Sequence, residues 1–323
     1  MMPARRPEPS LAESLGLLRG RVRAGAVLAP TTWFRVGGPA EWLVRPADVA
    51  DLRALMAGLP DAVPLRVLGA ASNVIIRDGG LAGVTVRLAR GFGTITVDGD
   101  GIVAGAGALD ATVAEHAASA GLTGLEFLSG IPGTVGGAVA MNAGAYGADI
   151  AAVLDWAELV LRDGRLIRLR AAELGLRYRH ASLPPDAIVV RARLAGSRGE
   201  PVAIAARMAE IRTRRETTQP VRARTGGSTF RNPAPEQSGL KAWELIAAAG
   251  GRGLSRGGAT VSDLHCNFLI NTGGATAADL EGLGEEVRRR VHAMSGVRLE
   301  WEIRRLGIPL PGMAATLPPG ITP

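Results

Sequence analysis

Residues 129–147 read SGIPGTVGGAVAMNAGAYG, with glycine at 130, 133, 136, 137, 144 and 147 and with Pro132 and Asn142 set among them. Such a run cannot be the interior of a long helix or a central strand, because each glycine forgoes packing and costs backbone entropy. It belongs where the chain turns sharply or where its backbone approaches something bulky. Closely spaced N–H groups in such a loop can cradle phosphate oxygens. Two shorter stretches share this character, VGGPA at 36–40 and LGAASN at 68–73. Lys241 is the only lysine, so no Gly-Lys-Ser/Thr exists and the loops are not a Walker P-loop. Three glycine-dense loops in a basic chain point instead to a large phosphate-bearing cofactor.

The text around these loops alternates short apolar runs with glycine punctuation. PLRVL (64–68), VIIR (74–77) and VTVRL (84–88) read as strands, and TITV and IVAG form a hairpin across DGDG. LVLRDGRLIRL (159–169) is a second hairpin around Asp163-Gly164. Asp110 is placed to cap a helix that Gly121 closes. The strand-glycine-helix order of IVAGAGALDATVAEH imitates a dinucleotide-binding unit, but its third fingerprint glycine is replaced by Asp110 and its strand belongs to a hairpin. A tight turn is the simpler reading.

Beyond Gly199 the pattern becomes helical over 202–216, ending at Pro220. KAWELIAAAG (241–250) is a short helix, and Thr276 caps another with Leu280, Leu283, Val287 and Val291 on one face. RLEWEIRRL (298–306) alternates as a strand. The expected organisation is an arm over 1–30, a glycine-rich domain over 31–199, a second domain over 203–307 and a tail over 308–323.

The formal charge of +7 raises nucleic acid as a partner, but the basic residues are dispersed and aromatics make up only 4 % of the chain. RTRRE (212–216) and RRR (288–290) lie in helical text, where solvated faces are ordinary. No run of about 18 apolar residues occurs, the length a membrane span needs. The start has arginines without an apolar run behind them, so it is not read as a secretory signal. One cysteine, Cys266, cannot form an internal disulfide, which fits a cytoplasmic location. The four histidines have no ligand spacing, so no metal site is expected, and no obligate protein partner is evident.

Seven stretches, TTWFRVGGPAEW, LGAASNVIIRDGG, GLTGLEFLSGIPGTVGGAVAMNAGAYG, LRYRHASL, RRETTQP, GGSTFRNP and HCNFLINTGGATAADL, occur in this order. Together, from about Thr31 to Gly307, they resemble the UDP-N-acetylenolpyruvoylglucosamine reductases, flavoenzymes of early peptidoglycan synthesis. The resemblance implies an α+β fold, in which an FAD-binding PCMH-type domain of two subdomains is followed by an α+β substrate-binding domain. It implies FAD as cofactor, NADPH as co-substrate and the enolpyruvyl ether of UDP-N-acetylglucosamine as substrate. Another PCMH-type FAD oxidoreductase is the alternative, although those often carry a covalent flavin link through His or Cys, and no histidine lies in the glycine loops.

The resemblance also implies residue roles. Ser228 matches the family's proton donor; a hydroxyl serves only if the developing carbanion is very basic and the donor is held in line. Arg179 matches the catalytic arginine, suited to a substrate carboxylate and to enolate charge. Glu302 matches the catalytic glutamate. Periodicity alone puts Glu300 and Glu302 on one face and does not choose between them. A raised pKa or an orienting role is expected for Glu302, since a carboxylate beside developing negative charge otherwise opposes it. Cofactor contacts are expected from Gly37, Gly38, Gly69, Ala70, Ala71, Ser72, Asn73, Ser129, Gly130, Pro132, Gly133, Gly136, Gly137, Asn142, Ala143 and Gly144. Substrate contacts are expected from Arg215, Asn232 and Asn267. Two positions depart from the family pattern: Ala71, where many relatives have glycine, and Thr218, where relatives often have lysine.

Overall fold

The computed structural model describes residues 11–312. Its first lobe is a four-stranded sheet ordered Arg21–Val27, Pro39–Arg45, Leu81–Arg87, Leu65–Leu68. The first pair is antiparallel and the other two pairs are parallel. The Val49–Gly58 helix covers this sheet and buries Leu52, Leu55 and Met56, its start capped by Asp48 accepting from the Asp51 N–H. Strand Arg21–Val27 lies within the stretch expected to be an arm. It supplies one edge of the sheet, and Leu15 ahead of it is buried in the first-lobe core. The arm over 11–30 is therefore part of the domain, while residues 1–10 lie outside the described residues.

The second lobe is a five-stranded antiparallel sheet, ordered Leu166–Arg170, Leu154–Val160, Ile188–Ala195, Gly101–Gly105, Ile95–Asp98. Both expected hairpins are present in it. The Asp110–Ser119 and Val135–Ala140 helices close its core through Val113, Ala114, Val135 and Val139. Asp110 does not cap its helix. Leu109 occupies the cap position with no side-chain bond, and Asp110 is drawn inward as the first helical residue.

The Pro201–Thr218 helix corrects the expected domain boundary. Its buried residues, Ile204 and Met208, join the core of the second lobe, and Arg207 pairs with Glu126 at 2.6 Å. The break near 198–203 thus moves to the end of this helix, because the apolar stripe faces backward along the chain rather than forward.

The C-terminal lobe has a four-stranded sheet ordered Arg224–Thr225, Leu269–Asn271, Ala259–Val261, Ser255–Arg256, packed on the helices Ala242–Ala248 and Ala277–Ser295. Thr276 caps the long helix by accepting from the Asp279 N–H, and Leu280, Leu283, Val287 and Val291 are buried. Phe34, Val36 and Ile75 of the first lobe enter this core. Strand Arg304–Leu306 then returns to pair in parallel with Val74–Ile76, so the lobes interlock. Residues 313–323 of the expected tail lie outside the described residues, and Ile308 is still bonded to Gly80.

The basic clusters are largely paired. Arg289 and Arg290 hold Glu286 at 2.7 and 2.8 Å, Arg288 holds Glu285, and Arg212 reaches Glu115. Among the described residues no helix is long and apolar enough to cross a membrane.

Candidate active site

A cleft of about 300 Å³ lies where the three lobes meet. The first lobe contributes Gly69, Ala70, Ala71, Ser72 and Asn73, and the second contributes Gly130, Pro132, Gly133, Gly137, Ala143, Gly144 and Arg179. Gly226, Gly227, Phe268 and Glu302 close it from the C-terminal lobe, and Arg215 reaches it from the Pro201–Thr218 helix. An open groove of about 1,420 Å³ continues past Trp33 and Ala70 and is lined by Arg35, Arg45, Arg87, Arg222 and Arg224.

At one end, Arg179 Nε donates to Glu302 Oε1 at 2.6 Å, with side chains only 20 % and 11 % exposed. Arg179 sits in a tight turn at φ 54°, held between the reciprocal Arg177 and His180 backbone bonds. Glu302 is placed by its own N–H, which donates to the Thr229 carbonyl at 2.8 Å. Asn73 Nδ2 donates to the Glu302 carbonyl at 3.2 Å. Ser228 lies between Gly227, which lines the cleft, and Thr229, which is tied to Glu302. Ser228 is half-buried, and its hydroxyl has no hydrogen-bond partner among the described residues. Residues far apart in sequence thus meet because residues 300–302, just ahead of the Arg304–Leu306 strand, run beside the Gly226–Phe230 turn.

A smaller cavity of about 260 Å³ shares Arg179, Glu302 and Arg304 and adds Arg77, Arg231 and Arg305. Arg231 Nε is buried there without a partner. Arg215 Nε is likewise unpartnered, and burial lowers the pKa of its guanidinium.

Several expected contacts are not brought to the cleft. Gly37 and Gly38 pack on the Ile76–Gly80 turn. A Cβ on Gly38 would lie 2.2 Å from the Asp78 carbonyl oxygen. The Asp78 carboxylate accepts from Ala277 and Ala278 at the start of the long helix, so these glycines serve the fold. Gly136 presses on Ala106, Ser129 donates to the Glu126 carbonyl, and Asn142 clamps Asp149, Ala151 and Arg177. Asn267 spends both amide atoms on the Phe230 backbone, and Asn232 accepts from the Ala242 N–H. Each is a polar or small residue absorbed by backbone needs that spacing does not reveal. Sequence reasoning passed over Thr134, Gly226, Gly227 and Arg231, although each lies inside a quoted stretch.

The cleft suits a dinucleotide. Both Asp110 oxygens, Thr134 Oγ1 and Arg215 Nε are buried polar atoms bordering it without partners, a condition that a bound polar molecule relieves. Gly227 leaves open space, for a Cβ there meets nothing within 4 Å. Gly130 is required because Tyr146 lies over it, its Cε2 atom 2.3 Å from where a Cβ would stand.

Ala71 occupies the left-handed region at φ 52°, where glycine is strain-free. The Ala71→Gly variant is expected to gain about 0.5–1 kcal/mol of stability, read as a higher urea midpoint. An unchanged or lower midpoint would show the strain to be negligible.

Comparison with known proteins agrees with this layout. Residues 40–170 match the FAD binding domain model, and residues 219–306 match the model of the UDP-N-acetylenolpyruvoylglucosamine reductase C-terminal domain. The chain is 67 % identical to the UDP-N-acetylenolpyruvoylglucosamine reductase of Granulibacter bethesdensis over 292 residues, 90 % of this chain and 93 % of that one. It is also 67 % identical to the Acidiphilium cryptum protein of the same name over 297 residues, 92 % and 95 % of the two chains. Among solved structures, the Thermus caldophilus UDP-N-acetylenolpyruvylglucosamine reductase superposes with a TM-score of 0.76 at 37 % identity, covering 90 % of this chain and all of that one. With both domain models in sequence order and such identity along nearly its whole length, the chain belongs to the UDP-N-acetylenolpyruvoylglucosamine reductase family and has that family's FAD-binding domain.

Proposed function

We propose that this chain reduces the enolpyruvyl ether of UDP-N-acetylglucosamine to UDP-N-acetylmuramate, using electrons from NADPH, in the cytoplasm. The observation that carries the reading is the Arg179–Glu302 pair, set beside the Gly227–Thr229 turn in a cleft floored by glycine loops. FAD, held where the Gly69–Asn73 loop and the Gly130–Gly144 block meet, would supply the two-electron chemistry between NADPH and the enolpyruvyl alkene.

The chain's own residues do the rest. Backbone N–H groups around Gly69–Ser72, with that of Thr134, would hold phosphate oxygens, whereas the Ile131 and Gly133 N–H groups are spent on the Leu128 and Ile131 carbonyls. Arg179 holds the substrate carboxylate and opposes the negative charge that grows on it as hydride arrives. Glu302 fixes the guanidinium through the 2.6 Å bond, an orienting role. Ser228 gives its proton to the carbon bearing the carboxylate and regains one from solvent. No base is needed beside it, because its hydroxyl acts as an acid. Arg231 and Arg215, both with unmet donors, are placed for the anionic parts of the substrate.

The test is turnover without oxygen. Beyond the one equivalent that reduces the flavin, NADPH should be consumed only when the enolpyruvyl sugar is present, with a product heavier by two hydrogens. NADPH oxidation unaffected by the sugar would sink the reading.

A further inference from the structure

Asp110 is a buried carboxyl that the proposed chemistry does not use. It is fully buried at the start of the Asp110–Ser119 helix, borders the cleft, and neither carboxyl oxygen has a partner. Its backbone N–H donates to the Gly133 carbonyl at 3.2 Å, and its Oδ2 would stand 2.6 Å from a Cβ on Gly133. Glycine at 133 is therefore what leaves the carboxyl room. A second unmet group sits nearby on the next residue of that loop: Thr134 Oγ1 is buried and unpartnered, 2.4 Å from where a Cβ on Gly69 would be.

The placement of these groups along the cleft gives them a direction. Asn73, at one end of the Gly69–Asn73 loop, is bonded to the Glu302 backbone and so marks the reacting end. Gly69, at the other end, abuts Thr134, which is bridged to Leu109. Leu109 and Ala70 border the open groove beyond. If the redox-active ring lies at Arg179 and Glu302, the Asp110 end faces the nucleotide half of FAD. We propose that Asp110, with Thr134 beside it, is the hydrogen-bonding anchor for an uncharged N–H- or O–H-bearing group in the adenosine half of FAD. This rests on the reading that the cleft holds the cofactor with its ring at the Arg179–Glu302 end.

The chemistry favours such a group over the pyrophosphate. Leaving a carboxyl buried without a partner is costly unless the ligand meets it. Burial alone pushes the Asp110 pKa up to about 8, so near neutral pH the group is mostly uncharged and can both donate and accept. A phosphate, which only accepts, would meet the carboxyl O–H and leave the other oxygen unmet, whereas a group that both donates and accepts meets both oxygens.

The experiment compares FAD with FMN, which lacks the adenosine half, binding to full-length protein freed of flavin by mild denaturant and refolded. Asp110→Ala should weaken FAD about tenfold or more, the loss of a hydrogen bond to a buried group, and leave FMN within about twofold. Asp110→Asn, a neutral amide that also donates and accepts, should stay within about threefold of wild type for both. The flavin-free Ala variant should melt no lower than flavin-free wild type, because it discards an unmet polar group; a purely structural Asp110 would lower that melting point. Should the Ala variant not fold, Asp110→Leu, the apolar side chain with the same branching at Cγ, is judged by the same FAD-to-FMN ratio. Equal weakening of FAD and FMN, unchanged FAD affinity, or an Asn variant as weak as Ala would each overturn the proposal. A wild-type protein that binds no flavin would instead overturn the reading of the cleft itself.

Discussion

Ser228→Ala protein is expected to bleach normally with NADPH and then stay bleached when the enolpyruvyl sugar is added. The first half-reaction transfers hydride into the cofactor and asks nothing of the Ser228 proton, so its rate should stay within about twofold of wild type. The second requires a proton at the carbon beside the carboxylate. A positioned acid contributes about 10²–10⁴ to such a step, and the reoxidation rate should fall by that factor. The hydroxyl has no hydrogen-bond partner among the described residues, so its removal leaves no buried group stranded and the fold should be unaffected. Equal slowing of both halves would mean that Ser228 shapes the cleft and does not donate.

Arg179→Ala and Glu302→Ala should each slow reoxidation by about 10²–10³, the usual cost of losing a preorganised charge-stabilising donor. The double variant should be no slower than the worse single one. The 2.6 Å contact makes the pair a unit, and residues that act as a unit lose their effect together. Arg179→Ala also leaves the Glu302 carboxylate, 11 % exposed, without its cation. That variant should therefore bind substrate poorly as well as react slowly, because a lone carboxylate then faces the substrate's own. Additive losses in the double variant would separate the two residues and remove the orienting role given to Glu302. Stopped-flow flavin absorbance measures all of these rates.

Much of this was legible before the fold was known, for reasons particular residues make plain. Thr276 caps its helix because a hydroxyl followed three residues later by Asp279 satisfies two end N–H groups, a local pattern that needs no tertiary partner. The Asp163–Gly164 hairpin is equally local. What the sequence hides is where distant backbone claims a residue. Gly37 and Gly38 looked like cofactor loops, but the Asp78 turn takes their space. Asn267, expected to touch substrate, also bonds the N–H and carbonyl of the distant Phe230, with one amide N–H left over. Asp110 had the spacing of a helix cap and is instead turned inward, because Leu109 occupies the cap position. Ile204 and Met208 carried a clear helical stripe, yet periodicity does not say which neighbour it covers. Likewise the approach of Glu302 to the serine turn depends on a strand returning from the chain's far end to Val74–Ile76, a long-range pairing with no local signal.

The most direct test of the account is an anaerobic titration of the purified holoprotein, first with NADPH and then with the UDP-enolpyruvyl sugar. The oxidised flavin spectrum should disappear on the first addition and return in full on the second, with one UDP-N-acetylmuramate formed per flavin. A spectrum that NADPH bleaches, that the sugar leaves bleached and that only oxygen restores would contradict it, and would place the chain's chemistry with the flavin oxidases.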